Sequence, residues 1–448
     1  MRNNTNFMIN SIKKLAIILK QTGELLSLFM IICFLGSFKN NNGSLRLSAE
    51  GSLSNDTIIK YPCFLIVSDA HLHHGRNQSM ALDSNSDSGD DLWQAAKSEI
   101  DLVIKNNNPK FLIVLGDLPF HSLGNLSDVD SSLVKVYSDL SEIARKNNLP
   151  LLIAPGNNDS YSGDYKPLTT NHPMFFQPDT DNVATYANDS LATPLACYSV
   201  FPFGRSIKFR VVILNSNIFS SHIDKRSGLS SYGANQSIDA DTEMRWFDDQ
   251  LQEASKDSEH VLIAMHVPPG LDGNQTLYDH VNKYMWFSAG IQNRFLDLIH
   301  EYEDNIVGLL ASHTHMDGIR LLRNNHRDSI TSMLISEPGI APGHGNNPAI
   351  KLIEYDPNNF AIKNFVTYYM DYWNPDTAPT LKGWDSSFIF SNIAPGYDRS
   401  TMNMLDYFRK SCDSNCLYQI IDSIYTAKSK SPNAVIETKS AYVDYEDK

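Results

Sequence analysis

Seven side chains that can bind metal ions follow short apolar segments of the sequence. They are carboxylate, imidazole and amide groups at the ends of predicted strands: Asp69, His71, Asp117, Asn157, His266, His313 and His315. Open α/β sheets bind ligands beyond the carboxyl ends of their strands, so we expect these groups to converge. Oxygen and nitrogen donors of this kind suit Zn, Mn or Fe, and seven are too many for one tetrahedral ion. The sequence therefore predicts two divalent metal ions, with zinc favoured, that share a carboxylate.

Asp117 is the carboxylate that we expect the ions to share. It follows the apolar run 111–115 and Gly116, a pattern that predicts a buried strand ending in a turn. A lone Gly-Asp pair at such a place is more often an ordinary turn, and the other strand ends change that balance. Asp69 and His71 are two residues apart, so on an extended segment their side chains point the same way.

Apolar runs alternate with helix-like segments through most of the chain. We predict strands at 63–67, 111–115, 151–154, 210–214, 261–265, 306–311, 333–335 and 351–355. We predict helices at 92–105, 131–146, 243–254 and 292–302. This alternation predicts a layered α/β domain over residues 60–356. Residues 357–448 are expected to form a small helical C-terminal subdomain, with little order after Ser429. The segment 160–206 is either a substrate rim or a packed surface lobe.

The N-terminal segment and the cysteines favour export. Residues 1–37 place lysines before an apolar run, which is typical of a signal peptide, with an N-terminal anchor as the alternative. Residues 38–59 are polar and are expected to be a flexible leader. Four cysteines then remain, an even number that suits an oxidising compartment, and Cys412 and Cys416 are close enough for a disulfide. We therefore predict a secreted, periplasmic or luminal protein without a membrane span in its mature form.

The charge of the chain argues against some partners. The formal net charge is −14 and the pI is about 5.4, so the chain lacks the general attraction for phosphate of a nucleic-acid coat protein or a basic membrane-surface binder. An anionic substrate would need local positive charge, which bound metal can supply. The expected partner is a small phosphorylated substrate, and the oligomeric state is left open.

The order of the motifs resembles that of the calcineurin-like dinuclear metallophosphoesterases. Asp-x-His, Gly-Asp, Gly-Asn-x-Asp, a strand-ending His and His-x-His follow one another here. Three stretches are similar to the acid sphingomyelinase-like phosphodiesterases within that family: 116–121 (Gly-Asp-Leu-Pro-Phe-His), 266–270 (His-Val-Pro-Pro-Gly) and 345–348 (Gly-Asn-Asn-Pro). The resemblance spans about 60–356 and implies a β-sandwich flanked by helices.

The resemblance also implies a division of labour among the residues. Asp69, His71, Asp117 and His315 would hold one ion, and Asp117, Asn157, His266 and His313 the other. A hydroxide between the ions would attack phosphorus, and His121 matches a histidine that lies near the leaving group in the sphingomyelinase-like branch. No saposin-like domain precedes the catalytic region, which disfavours lipid substrates.

Asn158 departs from the family pattern, in which a histidine usually stands at this position. An amide cannot act as a general acid near neutral pH, and losing that role typically costs roughly 10²–10⁴-fold in rate. A leaving phosphate, with a second pKa of about 6, needs less help than an alkoxide. We therefore predict a preference for phosphoanhydride or activated phosphodiester bonds in nucleotide-like substrates or polyphosphate. The Gly-Asn-Asn-Asp sequence of this motif is similar to that of the endopolyphosphatases.

Other functions remain open at this point. The chain could be a sphingomyelin phosphodiesterase, an endopolyphosphatase, a plain phosphomonoesterase or a pseudoenzyme that binds a phosphorylated ligand. The remaining histidines lack a strand-end position and are expected at the surface or behind the ligands, with His222 and His344 in loops near site segments.

Overall fold

Apolar runs form the strands of this fold, and glycine or polar residues end them. The computed structural model describes residues 59–76, 87–121, 126–159, 176–177, 184–220, 232–273, 285–373, 383–384, 386–430 and 439–446. In chain order the strands are β1 (Cys63–Val67), β2 (Leu112–Val114), β3 (Leu151–Ile153), β4 (Phe176–Gln177), β5 (Thr185–Asn188), β6 (Tyr198–Phe201), β7 (Phe209–Ile213), β8 (His260–Ala264), β9 (Ile306–Ala311), β10 (Gly318–Arg323), β11 (Ile330–Ser336), β12 (Ala349–Tyr355), β13 (Ile362–Tyr369), β14 (Ser386–Ile389) and β15 (Tyr442–Val443).

Side-chain caps and a left-handed asparagine mark the ends of some of the described helices. They are α1 (Asp90–Asn107), α2 (Leu126–Lys146), α3 (Ala192–Leu195), α4 (Tyr232–Lys256), α5 (Ala289–Glu301), α6 (Phe390–Ile393), α7 (Met404–Lys410) and α8 (Ser414–Ile424). The Asn403 side chain caps α7 by accepting from the Asp406 N–H, and Asp413 caps α8 in the same way. Helix α1 ends at Asn108, which adopts the left-handed conformation that stops a helix.

The strands form two mixed sheets. The first has the order β14-β13-β12-β1-β2-β3-β4 and the second β15-β10-β11-β9-β8-β7-β6-β5. Strands β1, β2 and β3 are parallel to one another, as are β7, β8, β9 and β11. Each parallel set therefore brings its carboxyl ends to one edge of its sheet.

Alternate side chains of the central strands serve different cores. Phe64 in β1 and Ile213 in β7 join one cluster shared by both sheets, which α7 and α8 also enter. Leu65 in β1 packs instead with residues of α1 and α2, and Val212 in β7 with residues of α4 and α5. The result is a β-sandwich with helices on its outer faces, and the predicted α/β class is confirmed.

The predicted central strands are present, with ends shifted by at most three residues. The strands that the sequence analysis did not assign are β4, β5, β6, β10, β13, β14 and β15. Most of these lie towards the edges of the two sheets.

The C-terminal part of the chain is not only helical. Helices α7 and α8 lie where helices were expected, and the short helix α6 precedes them, but β13 and β14 extend the first sheet and β15 extends the second. The expectation of little order after Ser429 is wrong for residues 439–446, because Tyr442 and Val443 pair with Leu321 and Leu322 of β10. The proposed limit at residue 356 falls between β12 and β13, which are neighbours in one sheet. The domain limits stay predictions.

The predicted disulfide between Cys412 and Cys416 is confirmed, with Cα atoms 5.3 Å apart. Cys63 and Cys197 are buried thiols, and burial raises the pKa of Cys63 to about 12, so it is protonated and unreactive near neutral pH.

No helix among the described residues is long and apolar enough to cross a membrane. The predicted signal peptide or anchor lies outside the described residues, as does nearly all of the predicted leader.

Candidate metal centre

The turns after five parallel strands meet in one place. Asp69, Asp117 and Asn157 follow β1, β2 and β3 of the first sheet, and His266 and His313 follow β8 and β9 of the second. Main-chain hydrogen bonds join these turns: Asp69 N–H to Gly116 O (3.0 Å), His71 N–H to Asp117 O (3.1 Å), Ser312 N–H to His266 O (2.9 Å) and Ala341 N–H to Asp69 O (2.9 Å). The site is thus built on rigid strand ends of both sheets.

Five of the seven predicted ligands have left-handed backbones. Their φ angles are 48° for Asp69, 40° for His71, 55° for Asp117, 68° for His313 and 60° for His315. Non-glycine residues rarely adopt positive φ, and such residues gather where the surrounding structure holds a functional side chain in place. The turns therefore hold these side chains in position at a cost in conformational energy.

The first ligand group consists of Asp69, His71 and His315. Nε2 of His71 lies 3.1 Å from Nε2 of His315, and these atoms lie 3.8 and 3.5 Å from Oδ1 of Asp69. All three residues are buried. One ligand atom from each lies within 4.8 Å of the others, so the group can hold a metal ion.

The second ligand group consists of Asp117, Asn157, His266 and His313. Nε2 of His266 lies 3.3 Å from Oδ2 of Asp117, 3.0 Å from Oδ1 of Asn157 and 3.2 Å from Nδ1 of His313. Asp117, His266 and His313 also satisfy the distance requirement for a shared ion.

Asp117 lies between the two ligand groups. Its Oδ2 atom is 3.4 Å from Nε2 of His71 in the first group and 3.3 Å from Nε2 of His266 in the second. A carboxylate in this position can contact ions on both sides.

The histidine rings present lone pairs to the centre, which suits a metal site. Nδ1 of His71, His266 and His315 faces the carbonyl oxygens of Pro119 (3.2 Å), Leu115 (2.6 Å) and Ala341 (3.2 Å). A carbonyl only accepts, so each Nδ1 carries the proton and each Nε2 offers a lone pair. Two such lone pairs 3.1 Å apart repel unless a proton or a metal ion lies between them. Oδ1 of Asp69 is likewise buried without a hydrogen-bond partner. The donor set fits two divalent ions.

The pKa values of two buried carboxylates at the centre are shifted in opposite directions. Burial favours a higher pKa for Asp117, but the nearby His266 and His71 hold it well below its ordinary value. Burial and the Asp117 charge raise the pKa of Asp159 to about 6. Without a bound ion, burial lowers the pKa of His266, and the Asp117 charge outweighs that effect and raises it to about 9, so an ion that binds Nε2 of His266 would displace a proton. Asp117 is therefore ionised and ready to bind cations.

Two supporting residues were not singled out from the sequence. Asp159 accepts hydrogen bonds from the main-chain N–H groups of Asp117 (3.0 Å), Leu118 (2.8 Å) and Gly156 (2.7 Å). Ser312 donates to Oδ2 of Asp69 (2.6 Å). Asp159 belongs to the Gly-Asn-x-Asp motif and Ser312 precedes the His-x-His motif, so motif position was the signal available.

His121 and Asn158 both contact candidate ligands, His121 by ring stacking and Asn158 by hydrogen bonds. The His121 ring stacks on the His71 ring with centroids 4.0 Å apart and an interplanar angle of 12°. The Asn158 amide donates to Oδ2 of Asp117 (2.7 Å), and its main-chain N–H donates to Oδ1 (2.8 Å). His121 is thus the predicted catalytic residue with an exposed ring, whereas Asn158 orients the shared carboxylate.

Other histidines divide into three groups. His344 is exposed, and its ring meets the His315 ring edge-on with centroids 4.7 Å apart, so it belongs to the mouth of the site. His73 stacks on Phe120, and His74 accompanies Asp90 at the surface. His172, His222 and His280 lie outside the described residues, as does much of the excursion at 160–206.

The loop after His266 is supported by the end of the described chain. Arg320 in β10 donates to the carbonyls of Pro269 (3.0 Å) and Leu271 (3.1 Å). Between them, a Cβ at Gly270 would lie 3.1 Å from Cγ2 of Val443 in β15. Strand β15 therefore packs directly against this loop.

Sequence relatives of the chain carry phosphodiesterase names. Acid sphingomyelinase-like phosphodiesterase 3b of Mus musculus is 25% identical over 70% of this chain and 68% of its own length. The cyclic GMP-AMP phosphodiesterase SMPDL3A of Homo sapiens is 23% identical over 67% of this chain and 65% of its own. Sphingomyelinase phosphodiesterase D of Dictyostelium discoideum is 24% identical over 80% and 79%. The chain thus spans about two thirds of its mammalian relatives.

Among solved structures, a dimetal phosphatase from Danio rerio covers 74% of this chain and 99% of its own at 11% identity, with a TM-score of 0.47. The sequence model of the calcineurin-like phosphoesterase family matches residues 64–317. This range is more than half of the sequence and includes all seven predicted ligands. The family and the names of the relatives are consistent with a metal-dependent phosphoric ester hydrolase. The chain belongs to the calcineurin-like phosphoesterase family.

Proposed function

We propose that the chain is an exported dinuclear metal-dependent phosphohydrolase that cleaves phosphodiester or phosphoanhydride bonds and prefers nucleotide-like substrates over lipids. The observation that carries this proposal is the position of Asp117, whose Oδ2 atom reaches a histidine of each ligand group at 3.4 and 3.3 Å.

The two ligand groups would hold the ions. Divalent ions bound there supply Lewis acidity towards phosphoryl oxygens and lower the pKa of a bound water towards about 7. The oxygen and imidazole donors favour zinc, with manganese and iron as alternatives. The chain's own contribution is to fix the ligand orientations through Pro119, Leu115 and Ala341 carbonyls.

We assign to His121 the protonation of the leaving group. Its ring lies on His71 at the edge of the first ligand group, and 39% of its side chain is exposed. The Asn158 amide is engaged with Asp117 and cannot donate a proton to an alkoxide. A site with an amide at position 158, where the family usually has a histidine, favours leaving groups that need little protonation, such as phosphate.

The relatives support a phosphodiester or nucleotide substrate. One is named a cyclic GMP-AMP phosphodiesterase and others are named sphingomyelinase phosphodiesterases. Export rests on the N-terminal segment and on the Cys412–Cys416 disulfide, which suits an oxidising compartment.

A metal and substrate survey tests the proposal. We expect purified protein to hold two divalent ions per chain and to hydrolyse bis(p-nitrophenyl) phosphate, with activity lost on chelation and restored by zinc. ATP, polyphosphate, a cyclic dinucleotide, p-nitrophenyl phosphate and sphingomyelin should then be compared by kcat/KM. Metal binding without turnover of any of these would favour a phosphate-binding pseudoenzyme, and sphingomyelin as the best substrate would overturn the nucleotide preference.

Replacement of Asn158 by histidine tests the leaving-group argument. We expect Asn158→His to raise kcat/KM for a dialkyl phosphodiester, where a proton donor can contribute roughly 10²-fold or more, and to leave ATP hydrolysis within about twofold. Equal wild-type kcat/KM values for ATP and the dialkyl diester would contradict the predicted bias.

A further inference from the structure

Asp87 lies beside the site although no motif includes it. Three short main-chain segments run side by side here, with Leu72 bridged to Ser88 on one side and to Pro119 on the other. The His73 N–H donates to Ser88 O (2.8 Å), and the Phe120 N–H donates to Leu72 O (3.1 Å). Asp87 is therefore carried to His121 by main-chain pairing, across 34 residues of sequence.

Asp87 contacts two nitrogen atoms of His121, one in the ring and one in the main chain. Oδ1 of Asp87 accepts from the ring Nδ1–H of His121 at 2.7 Å and lies 3.3 Å from its main-chain N–H. One face of the His121 ring stacks on the His71 ring, with centroids 4.0 Å apart. The Asp87 side chain is 15% exposed and that of His121 39% exposed, so an anchored carboxylate holds an accessible ring.

We propose that Asp87 is the positioning residue of His121 in the leaving-group step. With Nδ1–H donated to Asp87, the ring plane is fixed and Nε2 is the nitrogen left to exchange a proton with the leaving oxygen. The inference rests on the proposed function, because it assigns a support to the imidazole used there. The carboxylate does not touch the substrate.

A series of methyl aryl phosphates with increasingly basic leaving groups tests the inference in the metal-loaded protein. For Asp87→Ala we expect kcat for the phenyl ester to fall about tenfold or more, within the range of general acid catalysis, while the p-nitrophenyl ester changes less than about twofold and KM stays constant. Asp87→Asn should recover part of the loss because its amide oxygen can still accept from Nδ1–H. Asp87→Ala should add nothing in a His121→Ala background, since both changes remove one function.

Asp90→Ala is a matched control. Asp90 also pairs with a histidine, His74, at 2.9 Å, but this pair is at the surface. The control should leave the dependence on leaving group unchanged.

Ring nitrogen NMR gives a second measurement that does not depend on turnover. At about pH 8.5, well above the ordinary histidine pKa of about 6.5, His121 should show the Nδ1–H tautomer in the wild type. Asp87→Ala should shift it towards the Nε2–H tautomer.

Three results of the kinetic and NMR measurements would overturn the inference. These are an equal loss on all esters, additive losses in the double variant, or an unchanged His121 tautomer. Loss of a bound ion from Asp87→Ala would also overturn it, because His71, Asp87 and His121 are close enough to hold a metal and Asp87 would then be a ligand. Failure of the proposed function looks different: the wild type would then not hydrolyse even the p-nitrophenyl ester in the presence of metal.

Discussion

At the residue scale, the charge of Asp117 is the feature that joins the two ligand groups. Its carboxylate is buried, yet it is surrounded by His71, His266 and the two donors of Asn158. Such a group is held ionised by its neighbours rather than by water. Removing its charge should therefore affect both ions together.

We expect Asp117→Asn to lose bound metal and turnover at once. The amide keeps the shape and one acceptor oxygen but loses the charge that attracts two cations. Metal content should fall from two ions per chain to one or none, and kcat for bis(p-nitrophenyl) phosphate should fall about 10³-fold or more, which corresponds to about 4 kcal/mol. Elemental analysis and a colorimetric assay measure both effects.

Asp241→Asn provides the comparison, because Asp241 is an exposed partner of Arg294 on another face of the chain. It should retain metal and activity. Full metal retention by Asp117→Asn would contradict the shared-carboxylate position.

The residues that bind directly could be found from sequence, whereas their supports could not. The seven candidate ligands are chemically conspicuous and follow strand ends. Asp87 and Asp159 are ordinary carboxylates in polar surroundings, and only the fold shows that one meets His121 and the other meets three main-chain donors. Nor does residue type reveal that Asn158 points to Asp117.

At the element scale, two strand-end turns of the first sheet are in van der Waals contact. Gly116 has a φ of 90°, and a Cβ placed on it would lie 2.3 Å from the main-chain N of Gly156. A Cβ on Gly156 would lie 2.2 Å from the main-chain N of Asp117. Both turns therefore need glycine for the ends of β2 and β3 to approach.

We expect Gly116→Ala to destabilise the fold strongly. Left-handed alanine costs about 1–2 kcal/mol and a clash with main chain typically adds about 1–3 kcal/mol. Gly75 has a similar φ of 86° with nothing within 4 Å of its Cβ position, so Gly75→Ala carries only the first cost.

Urea unfolding of the two variants separates the effects. The midpoint of Gly116→Ala should lie clearly below that of Gly75→Ala, or the former should fail to accumulate as folded protein. Equal midpoints would show that the turns can separate without cost.

Apolar runs identified most of the central strands, whereas β10 and β13, which contain several polar or charged residues, were not assigned. β1 is apolar throughout and buried at every position. β10 and β13 contain Arg320, Arg323, Lys363 and Asn364, which depart from a buried-strand pattern. Arg323 pairs with Asp444, which is distant in sequence, and Asn364 donates to Glu354 of the neighbouring strand β12. Charges of this kind can be accepted in a strand only because of contacts that the sequence does not display.

At the scale of the whole molecule, stability should depend on pH through a buried acid that is not one of the candidate ligands. Glu243 in α4 is fully buried, and one of its oxygens accepts from the Asn215 N–H at 2.7 Å. Burial raises its pKa from 4.5 to about 8. It is therefore neutral in the folded chain at pH values where the unfolded chain has already ionised.

We expect Glu243→Gln to weaken the fall in stability as pH rises. Because the folded pKa is the higher one, stability from this group is fully present below about pH 4.5 and is lost as the pH rises to about 8. The loss is at most about 1.4 kcal/mol per pH unit. Denaturant unfolding of metal-free protein at several pH values in this window measures the slope.

Glu142→Gln changes an exposed glutamate and should leave that slope as in the wild type. A slope for Glu243→Gln equal to the wild-type slope would show that Glu243 is ionised in the folded chain.

The packing of Val443 against Gly270 has a consequence for the order in which the site is completed during synthesis. Translation at about 5–20 residues per second needs roughly ten seconds or more to pass from the His266 loop to β15. During that interval the ribosome-bound chain can pair β8 with β9, while the loop beyond them lacks its packing partner. A nascent chain that has not reached residue 443 therefore carries all seven candidate ligands but not the finished rim of the site.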